Sequence, residues 1–171
     1  MAAGIVLWFT GLPQSGKSTL AMRVRDRLAN EPCVLLDSDA VRAAIGTEGY
    51  GAADRDAFYR MLGGIAGLLA GQGHVVLVAA TAPRRAHREL ARRAAPRFVE
   101  IWVRTPRELC EARDTKGLYA RARAGDAPML PGVGVPYEPP LAPEIVADGG
   151  HDDAAAAAIA ELARRLRQSE S

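Results

Sequence analysis

Ile5-Val6-Leu7-Trp8-Phe9-Thr10-Gly11-Leu12-Pro13-Gln14-Ser15-Gly16-Lys17-Ser18-Thr19 is the stretch from which the rest of the chain can be read. Its first six residues are mostly β-branched, aromatic or long and apolar, the composition of a buried strand. Gly11 to Ser18 then fits GxxxxGK[ST], the pattern of a phosphate-binding loop. From Lys17 the spacing turns helical: Leu20, Val24 and Leu28 share a stripe, and Arg23, Arg25 and Arg27 fall mostly off it. Strand, glycine loop and helix therefore follow in the order that a polyphosphate cradle needs. Gly11 and Gly16 admit backbone angles closed to other residues, so the run Gly11, Leu12, Pro13, Gln14, Ser15, Gly16, Lys17, Ser18 and Thr19 can wrap a polyphosphate with its N–H groups pointing inward at the helix's positive end. Lys17 supplies a point charge for the β- and γ-phosphates, and the Ser18 hydroxyl is placed to ligate Mg²⁺. The plainer alternative is a glycine turn capped by Ser15 or Ser18 that binds nothing.

Composition narrows the classes. The chain has 171 residues with a formal net charge of +2, which fits one domain and gives no global signal for a nucleic-acid or membrane surface. Cys33 and Cys110 form no CxxC pair and read as reduced structural thiols. His74, His87 and His151 are scattered without metal-ligand spacing. The apolar run from Ile5 to Phe9 is too short for a signal peptide or a membrane span, so a cytoplasmic protein is the expectation.

A second apolar run, Cys33 to Leu36, ends in Asp37-Ser38-Asp39. In open parallel sheets ligands bind beyond the carboxyl ends of strands, which would put both carboxylates in the crevice of the glycine loop. Ser38 or Asp39 can equally cap a short helix over 40–45, and the two roles are compatible. A glycine-rich loop, 46–51, carries Tyr50 and precedes a helix over 54–70. There Phe58, Met61, Leu62, Ile65, Leu68 and Leu69 form the expected buried face, with Arg55 and Tyr59 largely outside it. Gly63, Gly64 and Gly67 in this helix indicate close packing or mobility.

Val75 to Val78 is a third strand, and no Asp or Glu closes it. P-loop ATPases and GTPases normally carry a carboxylate there for Mg²⁺, so the acidic partner moves to Asp37 and Asp39. An arginine-rich helix over 84–94 and a strand over 98–103 follow, then a helix opened by Pro106. The basic, glycine-bounded segment 113–127 has the composition of a lid that closes over ATP, or of a solvated helix. Residues 128–143 are proline-dense and form a loop; 143–147 form a last short strand; 152–167 form a C-terminal helix. The expectation is one α/β domain over 1–171, with about five parallel strands and helices on both faces in three α/β/α layers.

Together these pieces resemble the adenylylsulfate kinase family of P-loop kinases, which phosphorylate the 3′-hydroxyl of adenosine 5′-phosphosulfate with MgATP. The resemblance rests on residues 10–21, on Leu36-Asp37-Ser38-Asp39-Ala40-Val41-Arg42 where the family writes LDGDxxR, on Asp54-Arg55, and on 110–125, which contains KGLYARARAG. Pro136-Tyr137-Glu138 and Pro143-Glu144 complete it. It implies the P-loop NTPase fold with the strand order of nucleoside monophosphate kinases, and ATP and Mg²⁺ as cofactors. Asp39 would accept or orient the substrate hydroxyl proton, and Asp37 would help hold Mg²⁺ through water. Arg42 and Arg55 would contact the phosphosulfate end. Arg113 and the lid from Lys116 would embrace ATP and the acceptor, and a homodimer is the family's common assembly.

The departures lie on the acceptor side. Ala82 stands where the family carries a Ser associated with a phosphoenzyme, so no covalent intermediate can form there. Phe58 replaces an Asn, and residues 128–133 replace KGFTGI, leaving Leu130 on one side of the acceptor base and Tyr50 on the other. The rivals are the same donor chemistry on another acceptor, such as a cytidine diphosphoramidate or a small natural-product hydroxyl, and a nucleotide-binding regulator without turnover.

Overall fold

The computed structural model describes residues 3–126 and 129–169. Five strands form one parallel sheet: β1 (Ile5–Thr10), β2 (Cys33–Asp37), β3 (Val75–Ala79), β4 (Phe98–Val103) and β5 (Ile145–Ala147), in the order β2-β3-β1-β4-β5. The helices are α1 (Lys17–Arg27), α2 (Ser38–Ile45), α3 (Ala52–Gly71), α4 (Arg85–Ala94), α5 (Arg107–Ala112), α6 (Leu118–Arg123) and α7 (Asp153–Gln168).

All six residues of β1 are buried because this strand is central and covered on both faces. Ile5, Leu7 and Phe9 point into a core with Leu20 and Val24 of α1 and Ile159 of α7. Val6 and Trp8 point the other way, into a core with Phe58, Leu62 and Ala66 of α3 and Ala91 of α4. The pleat's alternation thus serves two cores and gives the three-layer α/β/α fold expected from the sequence.

The face of α3 differs from the expected one. Arg55 and Tyr59 are 5% and 6% exposed, whereas Ile65 and Leu68 are 38% and 65% exposed. The helix is rotated by its partner α4. A Cβ on Gly67 would lie 2.4 Å from Ala94 O and one on Gly63 would lie 2.9 Å from Ala91 Cβ, so these two glycines let the helices approach closely; Gly64 faces open space. Close packing, rather than mobility, explains the first two. Among the described residues no helix is long and apolar enough to cross a membrane, and Cys33 and Cys110 are free thiols.

Candidate active site

The loop between β1 and α1 is held from behind. Gly16, at φ +97°, sits so close to the segment after β5 that an added Cβ would lie 2.6 Å from Gly150 N. Gln14 also takes a left-handed conformation, with φ +65°. Thr105 Oγ1 donates to Ser15 O at 2.6 Å and Tyr119 OH donates to Pro13 O at 2.8 Å. The loop is therefore shaped by contacts from β4's far end and from α6, not by its glycines alone.

Lys17 Nζ donates to Leu12 O at 2.8 Å and to Gly11 O at 3.1 Å. Burial of the ammonium lowers its pKa from 10.5 to about 8, against the nearby charges of Cys110, Asp39 and Asp37, which favour the protonated form. Ser18 Oγ donates to Asp37 Oδ2. The other oxygen of Asp37 accepts from the amides of Asp39, at 3.0 Å, and Ala40, at 3.4 Å. Asp37 is thus the N-cap of α2, a place the sequence reading gave to Ser38 or Asp39. This cap turns the chain so that Asp39, in the first turn of α2, borders the same cavity as Lys17. Lys116, in the stretch between α5 and α6, spans this cavity, its Nζ lying 2.7 Å from Asp39 Oδ2. That contact holds the Lys116 pKa above its ordinary value.

The cavity has a volume of about 910 Å³, ample for a pair of small ligands. Of the expected phosphate-loop residues, Pro13, Gln14, Gly16, Lys17, Ser18 and Thr19 border it. Gly11, Leu12 and Ser15 do not: Gly11 and Ser15 are buried, the Ser15 hydroxyl has no hydrogen-bond partner among the described residues, and Leu12 acts through its carbonyl on Lys17. Asp37, Asp39 and Arg42 border it from α2's end, Tyr50 and Arg55 from the loop and helix that follow. Arg113, at the end of α5, and Lys116 border it from the stretch before α6, and Leu130 from the proline-rich segment. Ala127 and Pro128 lie outside the described residues.

Several lining residues carried no sequence signal. Tyr59 reaches the cavity because α3 is rotated as described, and Thr81 because it follows the end of β3. Gly150 and His151 arrive from the turn after β5. Beside Thr81, Arg88 is 2% exposed and donates to Ala82 O at 2.5 Å, Glu138 O at 2.6 Å and Glu100 Oε1 at 2.7 Å. Ala82 is itself buried at φ +40°. Thr10 Oγ1 donates to Thr81 O at 2.6 Å and is 3.0 Å from Tyr137 OH, whose pKa burial pushes up to about 12. The β3 loop and the 131–140 segment are thereby fixed to one another.

A phosphate-binding loop with its lysine and a carboxylate pair lining one cavity, with Asp37 in contact with Ser18 of the loop, is an arrangement suited to phosphoryl transfer to an alcohol. The donor set at Ser18 and Asp37 is a hydroxyl and a carboxylate, hard oxygens that suit Mg²⁺ shared with phosphate and water.

Comparison with known proteins points the same way. The family model described as adenylylsulphate kinase matches residues 3–148. An adenylyl-sulfate kinase of Synechococcus sp. (strain JA-3-3Ab) is 44% identical over 146 residues, covering 84% of this chain and 83% of the relative. The enzyme of Acaryochloris marina is 41% identical over 152 residues, covering 86% and 74%. The structure of a Mycobacterium tuberculosis APS kinase in complex with AMPPNP and APS superposes with a TM-score of 0.87 at 38% identity, covering 95% of this chain and 98% of that one. A match that begins just before β1 and ends just after β5, with the phosphate loop, the Asp37 turn and the lid inside it, places this chain in the adenylylsulfate kinase family.

Proposed function

We propose that the chain transfers the γ-phosphoryl group of ATP to the 3′-hydroxyl of adenosine 5′-phosphosulfate, giving 3′-phosphoadenosine 5′-phosphosulfate and ADP. The observation that carries this reading is that Asp39 and Lys17 border one cavity, with Lys116 bridging to Asp39 at 2.7 Å. In the transfer the bond between the β–γ bridging oxygen and the γ-phosphorus breaks, a bond from the acceptor oxygen to that phosphorus forms, and the hydroxyl proton passes to Asp39. Loop amides and Lys17 would hold the donor phosphates, and Lys116 would leave Asp39 for the oxygens of the moving group as the acceptor arrives. Arg113 would lie against the nucleotide from the lid. Mg²⁺, held through Ser18 and the water-mediated reach of Asp37, would neutralise charge building on the phosphate oxygens. Arg42, Arg55, Tyr50 and Leu130 would receive the acceptor.

The test is direct: MgATP and adenosine 5′-phosphosulfate are mixed with the protein, and the nucleotides are separated and identified. Stoichiometric ADP and 3′-phosphorylated product support the reading, and ADP formation only with a different acceptor overturns it. That second outcome has one observation in its favour, namely that Leu130, which lines the cavity with the 50% exposed Tyr50, offers no flat face for a base. We further propose a homodimer in the cytoplasm, where ATP is supplied; a solved relative from Thiobacillus denitrificans is described as hexameric.

A further inference from the structure

Arg42 is 6% exposed, and its guanidinium lies between two rings. Its Cζ is 3.7 Å from the centroid of Phe58 and 4.6 Å from that of Tyr50, and its Nη1 donates to Gly49 O at 3.1 Å. The three residues come from different places: Arg42 from α2, Tyr50 from the loop that follows, Phe58 from α3. Arg42 and Tyr50 border the cavity, whereas Phe58, 4% exposed, does not. Arg55 borders it too, is 5% exposed, and donates through Nη2 to Met129 O.

Two guanidinium groups near one another under little solvent repel, and each would be driven to swing toward water. An aromatic face attracts a cation by its quadrupole, most strongly where water is excluded, and it constrains a planar guanidinium to lie flat. Phe58 is the ring better placed for this at Arg42, since it is buried and its centroid is closer to the guanidinium carbon than that of Tyr50. A leucine of comparable bulk would fill the space without holding the charge.

We propose that Phe58 is a positioning residue for acceptor recognition: its ring holds the Arg42 guanidinium flat beside the cavity, as a fixed cationic receptor for the anionic end of a nucleotide acceptor. Tyr50 is the outer, half-exposed ring of the sandwich and can exchange the guanidinium for the acceptor's base without releasing Arg42. This rests on the proposed function only in taking the acceptor to be an anionic nucleotide.

The experiment replaces Phe58 by phenylalanines of increasing ring fluorination, which keep the shape and weaken the quadrupole, with Phe58→Leu as the endpoint. The expected result is a KM for adenosine 5′-phosphosulfate that climbs with each fluorine to about fivefold or more, while the KM for ATP stays within a factor of two or so. A ring that only fills the core would leave the acceptor KM flat along the fluorinated series, and that result overturns the proposal. The Arg42 Nε–H resonance supplies a readout independent of turnover. It should be displaced by the Phe58 ring current in the unmodified enzyme and lose that displacement in Phe58→Leu; an undisplaced resonance overturns the sandwich even if the enzyme uses a different acceptor. Absence of any turnover with adenosine 5′-phosphosulfate, beside a displaced resonance, overturns the assigned acceptor and supports the sandwich.

Discussion

Lys116 Nζ lies 2.7 Å from Asp39 Oδ2, joining the stretch between α5 and α6 to the first turn of α2 at the cavity that both residues line. Both side chains are more than half exposed, at 56% and 66%, and an exposed pair of this kind contributes about 0–1 kcal/mol to stability. Its importance lies in charge placement. Lys116→Met should leave the thermal midpoint nearly unchanged and, if Lys116 donates to the moving phosphoryl group as proposed, lower kcat about 10²–10³-fold, the loss expected when one such donor is removed. A melting curve and steady-state kinetics on the same sample check this, and unchanged kcat would confine Lys116 to the resting pair.

Asp37 and Asp39 are close in sequence yet bear different loads, and substitution should separate them. Asp39→Asn should spare ATP affinity and suppress transfer, because what is lost is the group proposed to accept the hydroxyl proton. Asp37→Ala removes the α2 cap and should cost about 1 kcal/mol in chemical denaturation. Asp37→Ser should restore that stability, since a serine caps nearly as well, and should not restore turnover, since it cannot carry the charge that faces Ser18. Recovery of both together would make Asp37 a cap and nothing more.

The phosphate loop was legible because strand, glycine loop and helix are contiguous, and the change of apolar period at Lys17 marks the boundary directly. Asp37 and Asp39 were legible as a strand tip, but the cap expected at Ser38 or Asp39 falls on Asp37, because α2 begins at Ser38 directly after β2, a boundary that no spacing records. The α3 face was misread for a different reason. Arg55 is buried because its guanidinium finds Met129 O, far along the chain, and the glycines that set the helix's rotation have meaning only against Ala91 and Ala94 of α4. Gly150 and Thr105, which brace the loop from behind, are distant in sequence and of types that are common everywhere.

The same glycines supply a stability test. Gly64 faces open space within a helix, so Gly64→Ala should stabilise the protein by about 0.5–1 kcal/mol through helix propensity and the unfolded chain's lost freedom. Gly67→Ala would put a methyl group 2.4 Å from Ala94 O and should destabilise by about 1–3 kcal/mol as α3 and α4 are forced apart. Urea denaturation of the two variants distinguishes them by sign. Like signs would mean that the α3–α4 approach does not depend on Gly67.

Lys17 links donor binding to pH. Its ammonium, desolvated against Leu12 O and Gly11 O, titrates at about 8 in the folded chain, compared with 10.5 when solvated. Below pH 8 both folded and unfolded chains hold this proton. Between about 8 and 10.5 the unfolded chain holds more protons than the folded one, so the Lys17 contribution to stability rises with pH across that window. Donor binding should run the opposite way. A triphosphate beside Lys17 favours the ammonium and raises its pKa, so above about pH 8 ATP binding must take up a proton and weakens as pH rises. Calorimetric titrations at pH 8.5 to 9 or so, in two buffers of different ionisation enthalpy, should therefore show proton uptake approaching one per ATP. Lys17→Met should abolish that uptake, and its kcat should be about 10²–10³ below that of the parent, the cost of deleting one preorganised charge at the phosphoryl group. Equal uptake by the parent and Lys17→Met would assign the proton to another group and remove Lys17 from the linkage.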